Sequence, residues 1–101
     1  MIDFLNECVD INTINEIKNN NNENILSDIE CNKEDCLKII NYFKELGITC
    51  IDNLLIYELD VFKYPFDEII KKFGKFNIPM FVSVINDDYA AIENIFKEIK
   101  S

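Results

Sequence analysis

The stretch TCIDNLLIYELDVF, residues 49–62, determines the fold class, because its apolar residues fit two different periodicities. With a period of two, one face of a β-strand would consist of Leu55, Tyr57, Leu59 and Val61. With a period of 3.6, where Glu58 is the single interruption, one stripe of a helix would consist of Ile51, Leu54, Leu55, Leu59 and Phe62. The two periods predict different architectures for the second half of the chain.

Two details of this stretch favour the helix. Thr49 and Asp52 have the spacing of a capping box, with Asp in place of the usual Glu. The stretch is also longer than a typical strand of about five or six residues. We therefore predict a mainly α protein, a small helical array. The alternative that stays open is an α/β fold with two short strands, near residues 53–61 and 79–85.

The segment before this stretch predicts a helix from Asn32 to Gly47. Its apolar residues recur at helical spacing, at Cys36, Leu37, Ile39, Ile40, Phe43 and Leu46. Asn32 is expected to cap the N-terminus of this helix, and Gly47 to end it in a left-handed conformation. Ile48 would then fold back onto the last turn as a hydrophobic contact.

The segment after the stretch predicts two further helices. Pro65 suits the first turn of one helix, which Asn77 is expected to end in a left-handed conformation. Its acids come first and its lysines later, as the helix dipole prefers: Asp67, Glu68, Lys71, Lys72 and Lys75. A C-terminal helix, capped by Asp87 or Asp88, would place its inner face at Tyr89, Ile92, Ile95, Phe96 and Ile99 and carry Lys97 and Lys100 at its end.

The two predicted helix ends, at Gly47 and Asn77, are part of a longer echo, because a shift of thirty residues superposes the apolar positions of residues 39–55 on those of 69–85. A helix-turn-helix unit that occurs about twice produces such a pattern, and so does a repeated strand–helix unit. The Leu-Gly-hydrophobic stop at residues 46–48 resembles the paired-helix repeats of mitochondrial transcription termination factors. The segment IPMFVSVINDD, residues 78–88, resembles the end of a truncated receiver-type fold. Since the basic groove of the first family and the acidic pocket of the second are absent, neither resemblance transfers a function.

The N-terminal third predicts short helices with less definite ends. Ile2, Leu5 and Val9 suggest a first helix, Ile11, Ile14 and Ile17 a second, and the segment ILSDIE one more turn. Between them, residues 18–24 (KNNNNEN) are predicted to form a flexible Asn-rich surface loop, because asparagine side chains compete for their own backbone. Residues 1–101 are predicted to form a single globular domain.

Net charge limits the partners of the chain. The net charge is −9 and the isoelectric point is near 4.3, and the sequence contains no arginine. DNA and anionic membranes repel such a chain, so we expect no direct binding of nucleic acid and no membrane association, whereas a basic protein partner is plausible. The N-terminal MIDFLNECVD lacks the positive charge of an export signal, and no apolar run approaches about 20 residues, so we expect a cytoplasmic protein.

The residue types that most enzymes require are scarce. The sequence has no histidine and only two glycines, which excludes the usual general base and the glycine-rich phosphate-binding motifs. Its four cysteines include only one close pair, Cys31 and Cys36, whose spacing is longer than that of a zinc knuckle. We therefore expect no enzyme, no cofactor and no metal site, with a thiol- or metal-dependent enzyme as the least favoured hypothesis.

One local segment, residues 60–68 (DVFKYPFDE), has the composition of a protein interface. Aromatic residues surround a proline turn and acids flank it, so the predicted partner-binding residues are Phe62, Tyr64, Phe66, Asp67 and Glu68. The alternative is that Phe62 and Phe66 belong to the core and only Tyr64 reaches the surface.

These limits together predict a small acidic protein-binding module. It would be an adaptor or an inhibitor that covers a basic surface of a macromolecular partner, in the manner of phage-type inhibitors, immunity proteins and antitoxins. The alternative hypothesis is a structural homodimer with no separate ligand, because the aliphatic helix faces are extensive for a chain of 101 residues.

Overall fold

All regular structure in residues 1–97, which a computed structural model describes, is helical. The α-helices of this range are α1 Ile11–Asn20, α2 Glu23–Cys31, α3 Lys33–Leu46, α4 Ile51–Tyr57, α5 Phe66–Phe73 and α6 Ile78–Asp87. The 3₁₀ helices are η1 Asp3–Glu7, η2 Leu59–Lys63 and η3 Tyr89–Phe96. The mainly α prediction is confirmed, and the alternative strands near residues 53–61 and 79–85 are helical instead.

The ambiguous stretch, residues 49–62, forms α4 and then η2 because burial follows the 3.6-residue stripe. The predicted stripe is buried throughout, whereas Tyr57, which the strand alternative places on an inner face, is 50% exposed. Glu58 lies at the junction, after the last residue of α4 and before the first of η2. The polar interruption of the stripe is therefore the point at which the helix changes type.

The capping box predicted at the start of α4 is wrong, since both of its polar side chains have distant partners. The hydroxyl of Thr49 lies 3.3 Å from Asn86 Oδ1 and donates to it, while Asp52 Oδ2 accepts a hydrogen bond of 3.4 Å from Thr13 Oγ1. The N-cap of α4 is Cys50, which makes no side-chain capping bond. Tertiary contacts replace the local motif.

The left-handed end of α3 at Gly47 is confirmed. Gly47 has φ 93°, its N–H donates to the carbonyl of Lys44, and the N–H of Ile48 donates to that of Phe43 at 3.0 Å. Ile48 is buried, as the hydrophobic contact of this motif requires. A residue with a Cβ would be strained at this φ, so glycine suits the turn.

Two predicted asparagine caps are wrong. Asn32 precedes α3 but its side chain does not cap the helix, because its amide donates 2.9 Å hydrogen bonds to the carbonyls of Phe62 and Tyr64. Asn77 does not end α5, which stops at Phe73. It caps the N-terminus of α6 instead, where its Oδ1 accepts from the N–H of Met80 at 3.2 Å.

The loop predicted over residues 18–24 is much shorter than expected. α1 continues to Asn20 and α2 begins at Glu23, so only two asparagines link the helices. Asn22 caps α2 through Oδ1, which accepts from the N–H of Ile25. The side-chain amides of Asn20 and Asn21 both donate to the carbonyl of Ile56 near the end of α4. The asparagines therefore combine local bonds, including one from the Asn21 amide to the carbonyl of Ile17, with bonds to α4, and the helices extend through most of the predicted loop.

The second half of the chain contains two similar units, as the echo predicts. We call α3, α4 and η2 the first unit, residues 33–63, and α5, α6 and η3 the second unit, residues 66–96. Residues thirty positions apart are buried together, for example Phe43 with Phe73 and Leu55 with Ile85. The predicted C-terminal helix is the 3₁₀ helix η3, capped by Asp88, and its expected residues Ile99 and Lys100 lie outside the described range.

The N-terminal elements lie against the first unit. α1 packs on α4 and α2 packs on η2, while the second unit packs on α3 and α4 through α5, α6 and η3. The resulting body is elongated, with extents of 40 × 22 × 21 Å. None of the helices within residues 1–97 has both the length and the apolar character that crossing a bilayer requires.

Replacing Asn32 by alanine tests the bridge between the start of α3 and the end of η2. The variant leaves two partly buried carbonyls without their amide donor, so we expect the free energy of unfolding to fall by about 1–3 kcal/mol. The melting temperature, measured by circular dichroism, should fall by about 4–8 °C for each kcal/mol. Asn41→Ala, at an exposed position of α3, is the matched control and should leave it unchanged or slightly raised. Equal melting temperatures for the two variants would contradict the bridge.

Candidate functional site: a cleft between the two 3₁₀ helices

A cleft lies between η2 and η3 and has a volume of about 570 Å³. We call it the η2–η3 cleft. Its walls consist of Tyr57, Glu58, Asp60, Val61, Lys63, Tyr64, Glu93, Phe96 and Lys97. Each unit of the repeat contributes one wall, so the cleft exists only because the second unit packs on the first.

Two aromatic stacks hold the walls together. Tyr57 stacks on Tyr89 with ring centroids 5.4 Å apart, and Tyr64 stacks on Phe96 at 5.2 Å. Tyr57 and Tyr64 flank η2 in sequence, so both ends of this helix are tied to η3. Such ring pairs stabilise by about 0.5–1.5 kcal/mol beyond the area they bury.

Negative charge concentrates around Glu58. Burial and a hydrogen bond with Glu93 raise the pKa of Glu58 to about 7, and the charges of Glu93, Asp60 and Asp88 act in the same direction. Asp88 is fixed in place because its Oδ1 accepts the N–H of Ala90 as the cap of η3. Near neutral pH, Glu58 is therefore partly protonated.

Positive charge concentrates around Tyr64. The ammonium of Lys63 lies 3.7 Å from Asp60 Oδ1 and 5.9 Å from the centre of the Tyr64 ring. The ammonium of Lys72 lies 5.8 Å from the ring centres of both Tyr64 and Phe96. The cleft is therefore polarised, with carboxyl groups around Glu58 and ammonium groups around Tyr64.

Of the five predicted partner-binding residues, only Tyr64 lines the cleft. Phe62 is fully buried, with its ring 5.6 Å from that of Phe43, so the core alternative describes it. Phe66 is partly buried and lies edge-on to Tyr42. Asp67 and Glu68 are exposed in the first turn of α5, away from the cleft walls.

The acidic pair was not among the predicted site residues. Glu58 carries a signal in the sequence, since it is the single carboxylate that interrupts an otherwise apolar stripe. Glu93 carries no such signal, because a polar residue between Ile92 and Asn94 suits any exposed helical position. Only the packing of η3 against η2 brings the two carboxyl groups together.

Three of the four cysteines, Cys8, Cys36 and Cys50, have raised pKa values. Burial raises the pKa of the Cys36 thiol to about 12, and it also raises the pKa values of Cys8 and Cys50. A nucleophilic or metal-binding cysteine needs its pKa lowered instead. Across residues 1–97, no three histidine, cysteine or acidic side chains are grouped so that they could hold a metal ion.

No protein-family model, curated protein or solved structure matches this chain.

The acidic pair predicts a specific dependence of stability on pH. Because the pKa of Glu58 rises from 4.5 to about 7 on folding, the folded protein binds more protons than the unfolded chain in that window. The free energy of unfolding therefore falls as pH rises from about 4.5 through about 7. Glu58→Gln keeps the neutral form, so its melting temperature should match that of the unmodified protein at the low end and exceed it above the window.

Thermal melts at pH values from about 4.5 to above 7 measure the difference in melting temperature between Glu58→Gln and the unmodified protein. Glu45→Gln removes one charge from an exposed position of α3 outside the cleft and is the control. The difference in melting temperature between this control and the unmodified protein should stay constant from about pH 4.5 to about pH 7. If the two variants gave the same profile, repulsion in the cleft would not be the cause.

Proposed function

We propose that this chain is a small acidic, cytoplasmic protein-binding module, an adaptor or inhibitor that covers a basic surface of a macromolecular partner. The observation that carries the proposal is the acidic end of the η2–η3 cleft. There Glu58 and Glu93 are held close enough to share a hydrogen bond, and the pKa of Glu58 rises to about 7 as a result of burial and this contact.

A positively charged side chain of a partner would relieve the repulsion between Glu58 and the neighbouring carboxylates at the acidic end of the cleft. A lysine or arginine side chain at the acidic end could contact both carboxyl groups and would lie beside Tyr57, whose side chain is 50% exposed. Carboxylate pairing and an aromatic face are both favourable for a guanidinium or ammonium group. Binding would also lower the pKa of Glu58, so complex formation near neutral pH would release protons.

The rest of the molecule supports a basic partner of this kind. A net charge of −9 accelerates encounter with positive surfaces and repels nucleic acid. The raised pKa values of Cys8, Cys36 and Cys50 disfavour thiol catalysis by these three residues. Small acidic proteins that cover basic surfaces include phage inhibitors, immunity proteins and antitoxins, and this parallel is one of class only.

The double variant Glu58→Gln/Glu93→Gln separates binding from folding. It removes two carboxylates from the cleft and relieves their repulsion, so its stability should equal or exceed that of the unmodified protein. Retention of the partner from a host lysate should fall roughly tenfold, as expected for about 1.4 kcal/mol of lost binding energy. The complex of the unmodified protein should weaken as salt rises.

The matched control is Asp67→Asn/Glu68→Gln, which removes the same number of charges from the exposed turn of α5. A greater loss of retention in this control would place the partner on the segment predicted from sequence. If added salt and the cleft double variant both left retention of the partner unchanged, the proposal would be contradicted. Tyr64→Ala is a poorer test, because it removes the stack on Phe96 and so affects folding as well.

A titration with a short arginine- and lysine-rich peptide, followed by NMR, complements the lysate experiment. Amide shifts should concentrate in η2 and η3 and disappear in the cleft double variant. A peptide of the same length with neutral residues should leave the spectrum unchanged.

A further inference from the structure

The two walls of the η2–η3 cleft run in the same direction. The Tyr57–Tyr89 stack joins them at one end and the Tyr64–Phe96 stack joins them at the other. The partners in each stack are 32 positions apart, so the residues of one wall keep a constant offset from those of the other. Since η3 spans Tyr89–Phe96 and a 3₁₀ helix rises about 2.0 Å per residue, the two stacks lie about 14 Å apart along the cleft.

Both walls carry their charges in the same order. Along the first wall, Glu58 and Asp60 come before Lys63, and along the second wall Glu93 comes before Lys97. All five side chains line the cleft. Because the walls run in the same direction, the carboxyl groups of both walls share one end of the cleft and the ammonium groups share the other.

The ammonium end is open to an anionic group of a partner. The contact between Lys63 and Asp60 is 3.7 Å long, and the two side chains are 38% and 71% exposed. Exposed ion pairs of this kind contribute little to stability, so Lys63 can exchange Asp60 for another carboxylate at low cost. The ammonium of Lys72, 5.8 Å from the ring centres of Tyr64 and Phe96, adds positive charge beside the same stack.

We infer that the partner segment bound in the η2–η3 cleft is dipolar, with a lysine or arginine at the Glu58 end and a carboxylate between Lys63 and Lys97. This inference rests on the proposed function, because it adds a second charge to the basic partner proposed above. The acidic end alone selects a positive charge, whereas the two ends together select a pair of opposite charges and fix the orientation of the segment that carries them.

The length of the walls sets the distance between the two charges of the segment. Four positions separate Glu93 from Lys97 and five separate Glu58 from Lys63, which at about 2.0 Å per residue corresponds to about 8–10 Å. A polyproline II segment has about three residues per turn and rises about 3.1 Å per residue. Charged residues three positions apart in such a segment therefore lie on one side, about 9 Å apart.

The overall charge of the protein predicts the opposite effect of a carboxylate on the partner. The net charge is −9, so long-range repulsion weakens the binding of a peptide to which a negative charge is added. The dipolar cleft strengthens the binding of the same peptide when the charge has the right spacing. The sign of the change in affinity therefore separates the two explanations.

Four peptides of equal length, each blocked at its N-terminus, provide the test. The first has one arginine and a glutamate three positions away in an otherwise uncharged sequence, prepared in both orders. The second has glutamine in place of the glutamate, and the third has the glutamate directly beside the arginine. These three are amidated, whereas the fourth has no glutamate and ends in a free carboxylate three positions after the arginine, so that it distinguishes a chain terminus from an acidic side chain as the source of the carboxylate.

Dissociation constants come from NMR titrations in about 0.15 M salt, where the Debye length is about 8 Å and distant charges are largely screened. In one of its two orders, the first peptide should bind about two- to fivefold more tightly than the glutamine peptide, as expected for one exposed ion pair. The peptide with adjacent charges should show no such gain.

Lys63→Gln/Lys97→Gln removes the ammonium groups of the cleft walls and should abolish the gain, while the glutamine peptide still binds at the acidic end. The matched control is Lys71→Gln/Lys75→Gln, which removes two exposed lysines in and just after α5, outside the cleft walls. The control should keep the gain. Circular dichroism melts verify that both variants are folded.

The inference would be overturned if the glutamate in either order left the affinity unchanged or lowered it, if adjacent charges gave the same gain, or if the gain survived Lys63→Gln/Lys97→Gln. The proposed function would still stand in each case, provided that the glutamine peptide shifts the amides of η2 and η3 and that Glu58→Gln/Glu93→Gln removes these shifts. If none of the four peptides shifted these amides, both the inference and the proposed function would be contradicted.

Discussion

The structure depends on one packing constraint, that neither unit of the repeat can cover its own apolar face. The rings of Phe43 and Phe73, at equivalent positions of the two units, meet with centroids 5.2 Å apart and join the units at the core. Tyr42 and Phe66 extend this contact along α3 and α5, and Phe81 continues it into α6. Because the units depend on each other for burial, the η2–η3 cleft depends on the same packing of the two units as the core does. A change that separates the units would remove the cleft as well.

Asparagine side chains complete this packing at the ends of the helices. The last carbonyls of a helix have no partner within it, and water or a side chain must satisfy them. Here the amides of Asn20 and Asn21 donate to the carbonyl of Ile56 near the end of α4, and Asn86 donates to that of Gly47 after α3. Asn32 does the same for two carbonyls at the end of η2. The asparagines thus link segments about thirty to forty residues apart, a role that their local sequence context does not indicate.

Charge is concentrated in the η2–η3 cleft, where Glu58, Asp60 and Glu93 line the walls. Burial and the hydrogen bond with Glu93 raise the pKa of Glu58, so ionisation of Glu58 near neutral pH costs stability. Functional sites commonly contain groups with pKa values displaced in this way.

The periodicity of residues 49–62 fitted both a strand and a helix, and the length of the stretch favoured the helix that the structure has. The pattern of apolar residues with Gly47 predicted the end of α3 and the two-unit repeat. The capping roles predicted for Asn32 and the Thr49–Asp52 pair were wrong, since their side chains bond to groups far away in sequence. Asn77 caps the start of α6 instead of ending α5. Of the predicted partner-binding residues, Tyr64 lies in the cleft and Phe62 is buried in the core. The proximity of Glu58 and Glu93, 35 positions apart, arises only when the second unit packs on the first. Spacing along the chain specifies a helix and its apolar side, whereas the neighbour that covers that side, and the charges it brings, depend on contacts between segments far apart in sequence.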